Sequence, residues 1–204
     1  MDSRDKTAAL IAQEIYEWSR QCIEIPSDAH GGLPACPFAK QEWESEQVLI
    51  HVTSDLDAIV DVKAHYPPTA GHTHIFAWLE WDEMTVDEFN DWLDKQNEDH
   101  FGVWLMGFHP EAPEDETIPP FFLPEDWPET DDYALILMQS LNRVVAASEK
   151  LLGTSYYESY DDEDMKLIYN RRESCHAWKE KVDEGLYRKE EERQIWRKQE
   201  EDPQ

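Results

Sequence analysis

The chain of 204 residues carries 46 acidic against 18 basic side chains, a formal charge of −28, with 12% aromatic residues and nine tryptophans. That length suits one ordinary domain with its own core plus an extension, and the aromatic content argues against a disordered chain. The charge opposes direct nucleic-acid binding, which rests on Lys and Arg neutralising phosphates, and it equally disfavours anionic membrane surfaces.

Cys22, Cys36 and Cys175 are the three cysteines, with no C-x-x-C pair. They fit a reducing compartment better than a disulfide scaffold. The first residues lack a secretory pattern, and no apolar run approaches the ~20 residues that span a bilayer. The expectation is a cytoplasmic protein with no membrane partner.

Taken in order, residues 8–23 space Ala8, Ile11, Ile15, Trp18 and Cys22 as one packed helix face, stopped at Ile25-Pro26. A loop rich in Gly and Pro follows over 27–37. Residues 47–53 read as a first strand, and Ser54-Asp55 open a short helix that ends before Tyr66. Residues 73–80 contain a second buried strand. Thr85 and Glu88 then form a capping box, in which the hydroxyl accepts from the backbone ahead and the carboxylate reaches back. The helix that they open runs to about Asn97.

Val103 to Phe108 is a third strand, almost wholly apolar and so expected to be buried on both faces. Pro110 cannot donate to a ladder, which leaves His109 at the strand's carboxyl end. A helix between strands two and three makes a βαβ unit, so these two should run parallel. Trp81, Asp82, Glu83, His109 and Glu111 then share one rim, joined by His51 or Thr53 if strand one is parallel too. Ligands of open α/β sheets bind at such rims.

The acidic, Pro-rich loop 111–132 has a greasy middle, including Phe121 and Trp127, and reads equally as a lid or as a cover for an open sheet face. Residues 133–138 form a fourth strand. Ser140 caps a last helix, which Gly153 ends at the position following the cap. From residue 174 the pattern is helical, with a solvated tail of mixed charge. The fold class expected is α/β: a single domain over 1–153 with a small, mostly parallel sheet and flanking helices, then an acidic, helical extension over 154–204.

Cys36 and His109 are the candidates for chemistry. A thiol becomes a nucleophile or ligand when a neighbouring imidazole or cation stabilises its thiolate, and Lys40 lies close in sequence. The bland alternative is a buried cysteine acting as a small hydrophobe and a histidine bonded to backbone. His72 and His74 alternate on one strand face and offer half of a metal site. They start strand two, at the rim opposite His109, so a site combining all three is geometrically disfavoured. No P-loop, G-x-G-x-x-G, H-E-x-x-H, G-x-S-x-G or EF-hand pattern is present, and the sequence names neither a metal nor a cofactor.

Leu33-Pro34-Ala35-Cys36-Pro37-Phe38-Ala39-Lys40 after a first helix, and Phe108-His109-Pro110 after a strand, resemble a bacterial domain family of unknown function. Its members carry a Leu-Cys-Pro-Phe-Ala segment and a Phe-His-Pro segment in that order. Here Pro34 and Ala35 precede the cysteine where the family has Asn-Leu, the loop 27–32 is expanded, the lid differs, and everything after Gly153 is additional. The resemblance implies one site built from Cys36, Pro37, Phe38 and Lys40 with Phe108, His109 and Pro110; it implies no reaction.

Two functions follow. One is a small cytosolic enzyme acting on a small-molecule substrate with Cys36 and His109 as catalytic groups. Phe38, Lys40, Phe108, Glu111, Phe121 and Trp127 would then do the binding under the lid. The other is a non-enzymatic acidic interaction protein with a basic protein partner, such as a nucleic-acid mimic or a viral regulator.

Overall fold

A computed structural model of the chain describes residues 8–67, 70–98, 102–112 and 133–162, together with 165, 166, 168–170 and 173. Phe121, Trp127, Cys175, most of the 111–132 loop and the helix expected from 174 lie outside these.

Helix α1 (Ala8–Trp18) buries Ile11, Ile15 and Trp18, the residues its spacing selects. It runs on as a wider turn over Ser19–Ile23, closed by the Glu24 amide on the Ser19 carbonyl at 2.9 Å. Strands β1 (Pro26–Ser27) and β2 (Leu33–Pro34) pair antiparallel as a small hairpin around the turn Asp28–His30. Helix α2 (Ala39–Glu44) leads into β3 (Val48–Thr53). Helix α3 (Leu56–His65) starts where the Asp55 carboxylate accepts from the Asp57 amide at 2.9 Å.

After β4 (Thr73–Trp78) comes α4 (Val86–Glu98). Its capping box is reciprocal: the Thr85 amide donates to Glu88 Oε2 at 2.9 Å, and the Glu88 amide to Thr85 Oγ1 at 3.3 Å. Strands β5 (Val103–Phe108) and β6 (Ala134–Ser140) and helix α5 (Leu141–Leu151) complete the set. Ser140 does not cap α5 with its side chain; the Leu141 amide is held instead by the Gly102 carbonyl at 2.8 Å. Nor does Gly153 take the left-handed backbone of a helix stop: the glycines with positive φ among the described residues are Gly31, Gly32 and Gly102.

The four long strands form one sheet in the order β3-β4-β6-β5. β3 and β4 pair parallel, and β6 pairs antiparallel with both β4 and β5. The fold is thus α/β, with β3, β4 and β5 pointing one way and β6 reversed between them. The unit β4–α4–β5 keeps its expected parallel sense, but its strands are not neighbours. This corrects the expectation for Val103–Phe108: it is an edge strand, with only Val103 and Leu105 fully buried. The strand closed in on both faces is β6, whose unbroken Ala134-Leu135-Ile136-Leu137-Met138 run carries the stronger form of that signal.

Side chains alternate between the two faces. One face packs Phe76, Trp78, Leu105 and Ile136 under α3 and α4 through Ile59, Phe89 and Leu93. The other packs Ile75, Ala77 and Leu135 against Ile11, Ile15 and Trp18 of α1. Gly107 permits the close seat of α4, because a Cβ there would run into Leu93 and Phe89. Buried Asn97 closes the outer side of β5: its carboxamide accepts from the Leu105 amide and donates to the Leu105 carbonyl, both at 2.9 Å. The side chain thereby stands in for the strand that is missing there.

The extension expected from residue 154 begins by folding back on the domain. Ser155 Oγ donates to the Gly31 carbonyl at 2.8 Å, and the hydroxyls of Tyr156 and Ser159 donate to the carbonyls of Ala35 and Ala29. Gly31, at φ 61°, has no room for a Cβ against Ser155.

Candidate functional site

Cys36 sits where the hairpin meets the turn after α1. Its amide donates to the Ile23 carbonyl at 3.2 Å, and its own carbonyl accepts from Ala39 at 3.1 Å. Burial pushes the thiol above its ordinary range; the amides of Phe38 and Ala39 pull the other way, while the carboxylates of Glu42 and Glu24 push it further up. That shift disfavours the thiolate, the form in which a cysteine attacks or ligates. Lys40 does not offset this. It lies on the exposed side of α2 with Glu44 at 3.9 Å, and the charges acting on Cys36 are anionic. Phe38 lies under the Lys150 ammonium, 5.6 Å from its ring centre.

His109 lies elsewhere. Its ring is buried, with Trp81 and Phe89 at centroid distances of 5.4 Å, on the α3/α4 side of the sheet. Nδ1 accepts from the Glu111 amide at 3.2 Å, so Nε2 carries the proton and donates to the Met84 carbonyl at 3.1 Å. Both ring nitrogens are spent on backbone. A general base needs a free lone pair, and the one on His109 is occupied.

The two candidates are therefore not brought together. Cys36 belongs to the side of the sheet that α1 covers, beside Ile23, Glu24 and Tyr156; His109 belongs to the other side, among residues around α4. Strand alternation explains this. Phe108 turns toward Trp18, 5.7 Å away, which sends the next residue to the opposite face. Glu111 reaches His109 through its amide rather than its carboxylate. Trp81 does meet His109, as the common direction of β4 and β5 requires.

The histidine that shares the surroundings of Cys36 is His30. Its buried ring packs on Tyr156 at 4.9 Å and Tyr160 at 6.2 Å, and its Nδ1 lies 2.8 Å from Ser27 Oγ. Burial lowers its pKa. The Ser27 bond spans one short turn, in the loop that runs on toward Cys36. It is the local bonding that serine favours in turns.

His51 departs from the expected rim. It faces α3 and meets His74 across the parallel pair, Nε2 to Nδ1 at 2.9 Å. Their ring planes are within 9° of parallel, with centroids 5.0 Å apart. That is an N–H···N bond between two imidazoles, in which one ring donates and the other accepts. Burial, then the nearby His51 and His72, push the His74 pKa down to about 4, and burial lowers that of His51. Sequence spacing could suggest His72 with His74; only the parallel register of β3 on β4 shows His51 as the partner. His72 is exposed, and its carbonyl accepts from the Tyr66 hydroxyl. Among the described residues no group of three His, Cys, Asp or Glu side chains is disposed to hold a metal ion.

No protein-family model, curated protein or solved structure matches the chain. The resemblance to the bacterial family thus rests on its two short motifs and their order. Among the described residues, no helix is long and apolar enough to cross a membrane.

The two helical layers differ in charge. Helices α3 and α4 carry seven carboxylates against two lysines, and Lys63 of these is buried on the Gln96 carbonyl. Helices α1, α2 and α5 carry five carboxylates against three basic side chains. On α4 the exposed Asp87, Asp91, Asp94 and Glu98 fall on one stripe, roughly 16 Å long at the rise of an α-helix.

Proposed function

We propose that the protein is a non-enzymatic acidic interaction module, whose working surface is the α3/α4 layer and whose partner presents a basic surface. The observation that carries this reading is a difference in charge between the described helices: α3 and α4 carry seven carboxylates against two lysines, whereas α1, α2 and α5 on the other side carry five against three basic side chains. Solubility alone requires no such asymmetry. A row of carboxylates on a rigid helix would steer a cationic partner and compete with phosphates for it, as a nucleic-acid mimic does. The separation of Cys36 from His109 removes the main support for an enzyme built on that pair.

The test replaces Asp87, Asp91 and Asp94 by Asn and Glu98 by Gln in the full chain. The wild-type protein is expected to retain a basic partner from a native extract at low salt and to release it to added duplex DNA. The neutralised variant should lose that partner. A partner held equally by both proteins, or one indifferent to DNA, would count against the reading.

A further inference from the structure

The end of α3 and the start of β4 enclose an open groove of about 490 Å³. That size falls in the usual range for small-ligand sites, about 300–1,000 Å³. Val62, Tyr66, Pro67 and Ala70 give it an apolar floor, and Asp61, His65, His72 and His74 bring polar groups to it. His65 is committed at Nδ1 to the Asp61 carbonyl, 2.7 Å away, whereas the Asp61 carboxylate is exposed and makes no ion pair among the described residues.

We propose that this groove binds a small organic amine with an apolar body. Three observations select that class. Among the described residues, no Lys or Arg lines the groove. Lys63, next to Val62, turns to the Gln96 carbonyl, and Arg143, whose charge reaches Tyr66, is taken up by Glu42 and the Gly71 carbonyl. An anion would therefore enter without a counter-charge, whereas Asp61 and the acidic layer around it attract a cation. A bare metal ion has no use for the apolar floor, and no three ligating side chains converge among the described residues.

The His51–His74 bond supplies the remaining contact. When His74 Nδ1 donates to His51 Nε2, the second nitrogen of His74 is a lone pair that accepts from an N–H donor; in the other neutral tautomer His51 Nε2 donates, and the same atom of His74 carries a proton, which it gains from solvent as His51 Nδ1 gives one up. The pair presents an acceptor to the ligand's N–H without gaining charge, and the bond to His51 holds the ring that does so. Tyr66 lies edge-to-face on His74 at 5.3 Å and offers its own ring to the apolar body.

The experiment titrates the full chain with phenethylamine, with phenylacetate, which has the same ring and the opposite charge, and with zinc chloride. Imidazole resonances and calorimetry give the readout. Phenethylamine is expected to shift the His74 signals at one-to-one stoichiometry, with phenylacetate at least tenfold weaker. Asp61→Asn should weaken the amine by about threefold, the order of an exposed ion pair, and Ala70→Trp, which fills the groove, should abolish binding. Equal affinity for phenylacetate, amine binding that survives Ala70→Trp, or saturation of His74 by zinc without any response to the amine would each overturn the proposal.

Discussion

Two histidine environments on the same side of the sheet are put to opposite uses. His109 is walled by Trp81 and Phe89, and each ring nitrogen has a backbone partner. His51 and His74 bond to each other beside an open groove, and a nitrogen of each ring stays outside that bond. A histidine next to a strand-ending proline is thus a fastener between the β4–α4 turn and the end of β5. Two histidines from neighbouring strands form the chemically adaptable pair. Position at a strand's carboxyl end says where a group lies; what its ring nitrogens already bond to says what it can do.

The largest break in this contrast comes from His109→Ala. It removes a buried ring and leaves the Met84 carbonyl and the Glu111 amide unpaired, so a loss of about 2–4 kcal/mol is expected in denaturant unfolding. A variant as stable as wild type would show that the ring is not a fastener.

Titration sharpens the contrast next. The pKa of His74 is lowered on folding from 6.5 to about 4. Across that window the unfolded chain binds a proton that the folded chain refuses. His74 therefore contributes its full stability above pH 6.5 and loses it as pH falls toward 4. The melting temperature should fall across this window, and more steeply in wild type than in His74→Phe. Parallel profiles would remove His74 as the cause.

Replacing the pair together, as His51→Phe with His74→Phe, should alter stability at neutral pH by about 1 kcal/mol or less, because both partners of one hydrogen bond go at once. Either change alone should cost more, since it strands a polar nitrogen. Equal costs for the single and double variants would contradict the paired bond. The smallest effect concerns Cys36: iodoacetamide should label it no faster than half-buried Cys22 at neutral pH, because burial raises both thiols. Fast, selective alkylation of Cys36 would restore a case for catalysis.

Much of the fold could be read from residue order. The spacing of Ile11, Ile15 and Trp18, the Thr85/Glu88 box and the apolar strands all act over a few residues, and local physics places them. The slot of β6 is not local. Its run of apolar residues says that it is covered on both faces, yet nothing in the run says that it slips between β4 and β5 in reverse. The candidate site failed for a related reason. The Cys36 and His109 motifs are each visible, but which face each side chain takes depends on the parity of Phe108 on its strand and on where the hairpin docks. His51 and His74 were visible as residues and hidden as a pair, because the β3/β4 register alone brings them together.

The carboxamide of Asn97 has one more consequence. Sheet proteins risk joining edge to edge without limit, since each added copy exposes a fresh edge for the next. Here the amide and carbonyl of Leu105 are already taken by a side chain, so a foreign strand laid along β5 would find that position occupied.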